Sequence, residues 1–126
     1  MNIEFNNERP IYIQLVDKIK TDIANGTLKP NTKLPSVRDL ASLYKVNPNT
    51  ILKSLNTLEE EKLIYTERTN GKYITDNANK ITSLKNNLAK EKVITYLSDM
   101  QKIGFTKEDA INYIKEKEIN NGTIKN

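Results

Sequence analysis

Cysteine and histidine are both missing from the 126 residues. Without cysteine there is no disulfide, no thiolate nucleophile and no thiolate zinc site, a composition that suits a reducing compartment. Without histidine there is no Ser/His or Cys/His pair, no three-histidine metal site, and the commonest general base is gone. Long apolar runs are lacking too. No stretch free of charge exceeds seven residues, Val46–Leu52 being one, whereas a membrane-spanning helix needs about 20. The opening MNIEF carries an acid where a secretion signal has a basic segment followed by an apolar one. The acidic run Glu59-Glu60-Glu61 lacks partners at metal-ligand spacing and reads as a solvated face. The expectation is a cytoplasmic, non-enzymatic protein with no catalytic residue, no metal, no cofactor and no membrane partner.

What remains is a chain with a slight basic excess, 20 Lys and Arg against 16 Asp and Glu, and 37% hydrophobic residues. That content supplies one domain with a core plus an accessory element. The charge is informative only locally. From Lys29 to Lys53 there are five cations, Lys29, Lys33, Arg38, Lys45 and Lys53, against the single acid Asp39, so an anionic partner is expected there.

Residues 10–25 are read as a helix opened by Pro10, with Ile11, Leu15, Ile19 and Ile23 at intervals of four and Gly26 as the stop. Pro30 and Pro35 then enclose a connection with a brief strand at Lys33-Leu34. Ser36 followed by Asp39 reads as a capping box for a second helix whose apolar stripe is Val37, Leu40, Ala41 and Tyr44. Only Lys45-Val46 separates it from Asn47-Pro48, an N-cap with proline at the first helical position. The third helix, with Ile51, Leu55 and Leu58 as its apolar set and Leu52 beside them, runs to about Glu61. Leu63–Thr66 then turns strand-like, and Asn70-Gly71 marks a hairpin. Helix, short strand, helix-turn-helix and terminal hairpin make a winged helix. The fold class is therefore mainly α with a small β-hairpin.

Beyond residue 78 the pattern changes. A long helix is expected from Ile81 to Ile103, closed by Gly104, then a second capping box at Thr106 and Asp109 and a helix to about Glu118. Apolar Leu84, Leu88, Val93, Leu97, Met100, Phe105, Ile111 and Ile114 lie on more than one face of this helical hairpin, which cannot bury them alone. They are assigned to a homodimer interface. The resulting division is 1–77, winged helix; 78–120, dimerisation hairpin; 121–126, flexible tail.

In a helix-turn-helix the second helix leads with its first turn into the major groove. Asn47, Pro48, Asn49 and Thr50 occupy that turn. Asparagine can pair bidentately with adenine, threonine can meet a base edge or a phosphate, and the free N–H groups of the helix start favour phosphate. Lys53 lies one turn further on, and Arg38 and Lys45 flank the site as phosphate contacts. Arg68, Thr69, Asn70, Gly71 and Lys72 form a polar, cationic hairpin tip that can reach the neighbouring backbone or minor groove. The expected partner is double-stranded DNA. A winged-helix module that binds protein instead of DNA is the rival reading, and the local cations favour DNA.

The residues quoted, P-I-Y-x-Q-L from Pro10, G-x-L-x-P from Gly26, K-L-P-S-x-R-x-L-A from Lys33 and V-N-P-N-T from Val46, resemble the DNA-binding domain of GntR-type bacterial transcription regulators over about residues 9–75. The resemblance implies operator contacts at Ser36, Arg38, Asn47, Asn49, Thr50 and the wing. Three departures stand out: Asn31 and Lys62 replace glycines usual in the family, and the wing at Thr69 lacks the full Gly-x-Gly pattern. The short segment after Ile74 resembles the YtrA-type subfamily rather than those with large effector domains. That likeness implies dimerisation through the tail and a repressor of a transporter-type operon acting at a pseudo-palindromic operator. It names no effector.

Overall fold

The computed structural model describes residues 3–117, 119–120 and 123–124. The chain divides into two units, residues 1–86 and 87–126. In chain order the helices are α1 (Ile11–Ala24), α2 (Val37–Tyr44), α3 (Pro48–Glu60), α4 (Ala78–Lys102) and α5 (Lys107–Glu116). The strands β1 (Ile64–Glu67) and β2 (Gly71–Ile74) fall between α3 and α4, and β3 (Ile119–Asn120) and β4 (Thr123–Ile124) follow α5.

In the first unit the apolar periodicity of three helices converges on one core. Leu15, Val16, Ile19 and Ile23 of α1 meet Leu40, Ala41 and Tyr44 of α2 and Ile51, Leu55 and Leu58 of α3, all buried. Leu34, Leu63, Ile64 and Ile74 close it from the side of the hairpin. Buried Gln14 holds the chain that enters α1: its amide donates to the Asn6 and Arg9 carbonyl oxygens at 3.0 and 2.7 Å and accepts from the Asn6 N–H at 3.0 Å. Tyr44 places its hydroxyl in the core without a hydrogen-bond partner among the described residues. Burial first, then the nearby Asp22 carboxylate, pushes that hydroxyl's pKa up to about 12.

β1 and β2 are antiparallel, pairing Ile64 with Ile74, Tyr65 with Tyr73, Thr66 with Lys72 and Glu67 with Gly71. The brief strand expected at Lys33-Leu34 is reduced to a single bridge between Lys33 and Tyr73. Backbone bonds on both sides of it, Asn31 N–H to Ile74 O (2.9 Å) and Leu34 N–H to Lys72 O (2.8 Å), fasten the connection to β2. Asn31 and Lys62 both take left-handed φ of 61°. These turns, of a kind glycine makes most readily, are kept here by side-chain-bearing residues, at roughly 1–2 kcal/mol for Lys62 relative to glycine and less for Asn31. Asn31 offsets part of that by accepting a hydrogen bond from the Tyr65 hydroxyl.

The second unit contains the end of α4 and α5. Gly104, at φ 99°, turns the chain after α4. Thr106 and Asp109 form both halves of the capping box, at 3.1 and 3.0 Å. Hydrogen bonds from the Thr106 backbone and then its side chain hold the Asp109 carboxyl below the usual range. α5 turns back on α4, its buried Ala110 offering the carbonyl oxygen that the Tyr96 hydroxyl donates to at 2.8 Å. α5 ends at Glu116 rather than near Glu118, and Glu118 itself lies outside the described residues. Ile119 pairs with Ile124 and Asn120 with Thr123. The rest of the tail, expected to be flexible over 121–126, lies outside the described residues.

Of the residues assigned to a dimer interface, Leu84 is 8% exposed. Leu88, Leu97 and Met100 are half-buried. Val93, Phe105, Ile111 and Ile114 are exposed, joined by Ile94, Ile103 and Tyr113, which the sequence reading did not assign.

Candidate nucleic-acid interface

α2 starts where it does because the Ser36 hydroxyl accepts from the Asp39 N–H at 3.1 Å. Only this half of the expected capping box forms. Ser36 therefore keeps its own O–H proton at an exposed position beside Arg38, which is also exposed. The α2–α3 turn is made by Lys45 in the left-handed conformation (φ 57°), closed by the Val46 N–H on the Ala41 carbonyl oxygen at 3.0 Å. The short turn leaves α3 no freedom to drift from α2. Its first turn is presented on a fixed frame.

At the start of α3 the Asn47 Oδ1 accepts from the Asn49 N–H at 2.8 Å. That bond uses one lone pair of the Asn47 oxygen and fixes the amide in the cap, leaving its NH₂ and the second lone pair for an outside partner. Asn49 is different. Its exposed amide makes no hydrogen bond among the described residues and keeps donor and acceptor together. Thr50 is half-buried behind it, and Lys53 is exposed on the next turn. Leu52, beside the apolar stripe, is 42% exposed while Ile51, Leu55 and Leu58 are buried. Successive helical positions turn by about 100°, which carries Leu52 off the buried stripe and onto the side of Asn49 and Asn56.

The wing tip consists of Arg68, Thr69 and Asn70, all exposed, with the Asn70 N–H donating to the Glu67 carbonyl oxygen at 3.3 Å. Gly71 follows at φ 108°, a conformation that suits glycine. Tyr65 and Tyr73 stack across the strands with ring centroids 5.7 Å apart. Lys72, read as part of the tip, does something else. Its ammonium donates to Glu59 Oε1 at 2.7 Å and to Thr66 Oγ1 at 2.9 Å, and the Thr66 hydroxyl donates to the same carboxylate oxygen at 2.7 Å. These bonds, Lys72 first and then Thr66, hold the Glu59 carboxyl below its usual range. The acidic run is thus not simply a solvated face: Glu59 ties the wing to the end of α3, and Glu61 pairs with Lys20 of α1 at 2.9 Å.

An open groove of about 660 Å³ runs between the start of α2 and the wing. Ser36, Asp39, Leu55, Asn70, Gly71 and Lys72 are among the residues on its walls. The fold therefore brings the α2 cap and the wing tip to one groove. Among the described residues no group of His, Cys, Asp and Glu is arranged to hold a metal ion, and no helix is long and apolar enough to cross a membrane. The assembled chemistry is exposed amide, hydroxyl and cation on one helix start, its flank and a hairpin tip, which matches the demands of a duplex groove lined by phosphates.

Comparison with known proteins agrees with this. The family model for bacterial regulatory proteins of the gntR family matches residues 11–74. The uncharacterized HTH-type transcriptional regulator YhcF of Bacillus subtilis is 36% identical over 115 residues, 91% of this chain and 95% of that protein. The HTH-type transcriptional repressor YtrA of the same organism is 36% identical over 117 residues, 92% of this chain and 90% of that protein. Among solved structures, a GntR family transcriptional regulator from Listeria monocytogenes superposes with a TM-score of 0.81 at 42% identity, covering 90% of this chain and all of that one. With a helix-turn-helix, a wing and relatives matched over nearly their whole length, this chain belongs to the GntR family of bacterial regulatory proteins.

Proposed function

We propose that this DNA-binding transcriptional regulator works as a cytoplasmic homodimeric repressor of a transporter-type operon, reading one half of a pseudo-palindromic operator with each protomer. The observation that carries the DNA-reading part is the unclaimed Asn49 amide at the leading turn of α3, flanked by exposed Arg38, Lys45 and Lys53. Asn49 reads a base edge; the cations and the Ser36 hydroxyl hold phosphates; Arg68, Thr69 and Asn70 reach the adjacent backbone or minor groove. Lys72 sets the wing's position through Glu59 rather than touching DNA. Leu52, beside Asn49, gives the helix an apolar group suited to a thymine methyl. Repression is supported by the relative YtrA, which is named a repressor. Dimerisation is supported by the apolar residues left open on α4 and α5.

Two variants test the assignment, using a duplex that the wild-type chain selects from random-sequence DNA and a scrambled duplex of equal composition. Arg38→Ala is expected to weaken binding to both alike. Asn49→Ala is expected to lose about 1–3 kcal/mol of discrimination at one or two base pairs and little on the scrambled duplex. Equal losses on the two duplexes for Asn49→Ala would show that it meets only backbone.

A further inference from the structure

Lys53 is exposed, yet its position is constrained. Its Nζ lies over the ring of Tyr12, 4.0 Å from the centroid. Tyr12 stands in the first turn of α1, and the adjoining residue of α3 fixes the two helices at that point. The Ser54 hydroxyl, fully buried, lies 3.0 Å from the Tyr12 carbonyl oxygen and 3.1 Å from that of Thr50, its one proton shared between them. Ring and ammonium are therefore presented to each other by a buried hydrogen bond, not by two surface side chains meeting at random.

Lys72 and Lys53 differ in what restrains them. Lys72 is held by the carboxylate of Glu59 at 2.7 Å, which cancels its charge. Lys53 is held by the negative face of an aromatic ring, which attracts a cation while leaving its full charge uncompensated. A lysine side chain free in water must give up much rotamer freedom to meet a phosphate. One already directed by a ring gives up less, and stays a whole cation.

We infer that Tyr12 is a positioning residue for DNA binding: its ring holds the Lys53 ammonium at the flank of the recognition helix, ready for a backbone phosphate. This rests on the DNA reading proposed above. The ring is what acts, so the phenol hydroxyl is dispensable. Because Ser54 bonds to the Tyr12 backbone, replacing the side chain leaves that tie in place.

The test is a double-mutant cycle on the self-selected duplex, with Tyr12→Leu, Lys53→Gln and both together in the full chain. Tyr12→Leu is expected to weaken binding about 2- to 5-fold on selected and scrambled duplexes alike. Lys53→Gln should weaken it on both and reduce the magnitude of the salt slope by about 2, one contact being lost from each protomer of the proposed dimer. The double variant should bind no worse than Lys53→Gln alone, and Tyr12→Phe should keep wild-type affinity. Thermal melts check folding, and if Tyr12→Leu melts early, Tyr12→Met, which keeps more of the apolar bulk, takes its place in the cycle. Additive losses in the double variant, a loss in Tyr12→Phe matching that in Tyr12→Leu, or tighter binding by Tyr12→Leu would each overturn the inference while leaving the DNA reading intact. Wild-type chain that shows no preference for any duplex would overturn both.

Discussion

Raising monovalent salt from 50 to 200 mM is expected to weaken the complex with the operator by about four orders of magnitude. Each protomer offers four exposed cations to phosphates, Arg38, Lys45, Lys53 and Arg68; Lys72 is not counted, because Glu59 already neutralises it. A dimer thus meets about eight phosphates, and with roughly 0.9 counterions released per contact the slope of log affinity against log salt is about −7. Over a fourfold rise in salt that slope is about a 10⁴-fold loss. Fluorescence anisotropy titrations at five salt concentrations measure it directly. A flat response would mean that these cations do not face a polyanion, and the protein-binding alternative would return.

Cutting the chain after Asn86 is expected to leave a folded, monomeric winged helix that binds a full operator about 10²- to 10⁴-fold more weakly, the range by which linking two sites exceeds one. The cut belongs there because residues 1–86 form the first compact unit, which keeps buried Leu84. What the cut discards is the apolar surface of Val93, Ile94, Ile103, Phe105, Ile111, Tyr113 and Ile114. Left uncovered in a monomer, such a surface would be a liability for association, and in the proposed dimer a two-fold partner would cover it. That symmetry would also set two recognition helices about 34 Å apart, or a small multiple, so that both half-sites are read at once. Sedimentation velocity distinguishes the outcomes. Should residues 1–86 still sediment as a dimer, the tail has another task.

How much of this could be read from residues alone depended on the range of the signal. The helix-turn-helix was legible because its punctuation is local: Ser36 bonds three residues ahead and Asn47 two, and Pro48 can sit only at the first turn. The second capping box at Thr106 and Asp109 was legible for the same reason. The ion pair of Lys72 was not legible because its partner, Glu59, is 13 residues away across a helix end and a strand, and composition cannot show that a cation is already paired. A long helix with apolar residues on several faces does not say which of them its own chain covers: Leu84 is buried, Val93 and Ile94 are exposed. Leu52 stands one position past Ile51, about 100° away from the core. The replaced glycines at Asn31 and Lys62 looked like departures in geometry, yet both residues adopt the left-handed turn. A propensity yields when the backbone bonds around it, such as Asn31 to Ile74, over-determine the turn.

Sequence-specific recognition by the start of α3 is tested most directly by one ratio. The dissociation constants of the full chain for its self-selected duplex and for a scrambled duplex of the same composition should be measured at a single salt concentration, near physiological. Specific readout predicts that the scrambled duplex binds at least about 10³-fold more weakly. A ratio near one, with both duplexes bound, would contradict it and reduce the interface to a cationic surface that holds DNA without reading it.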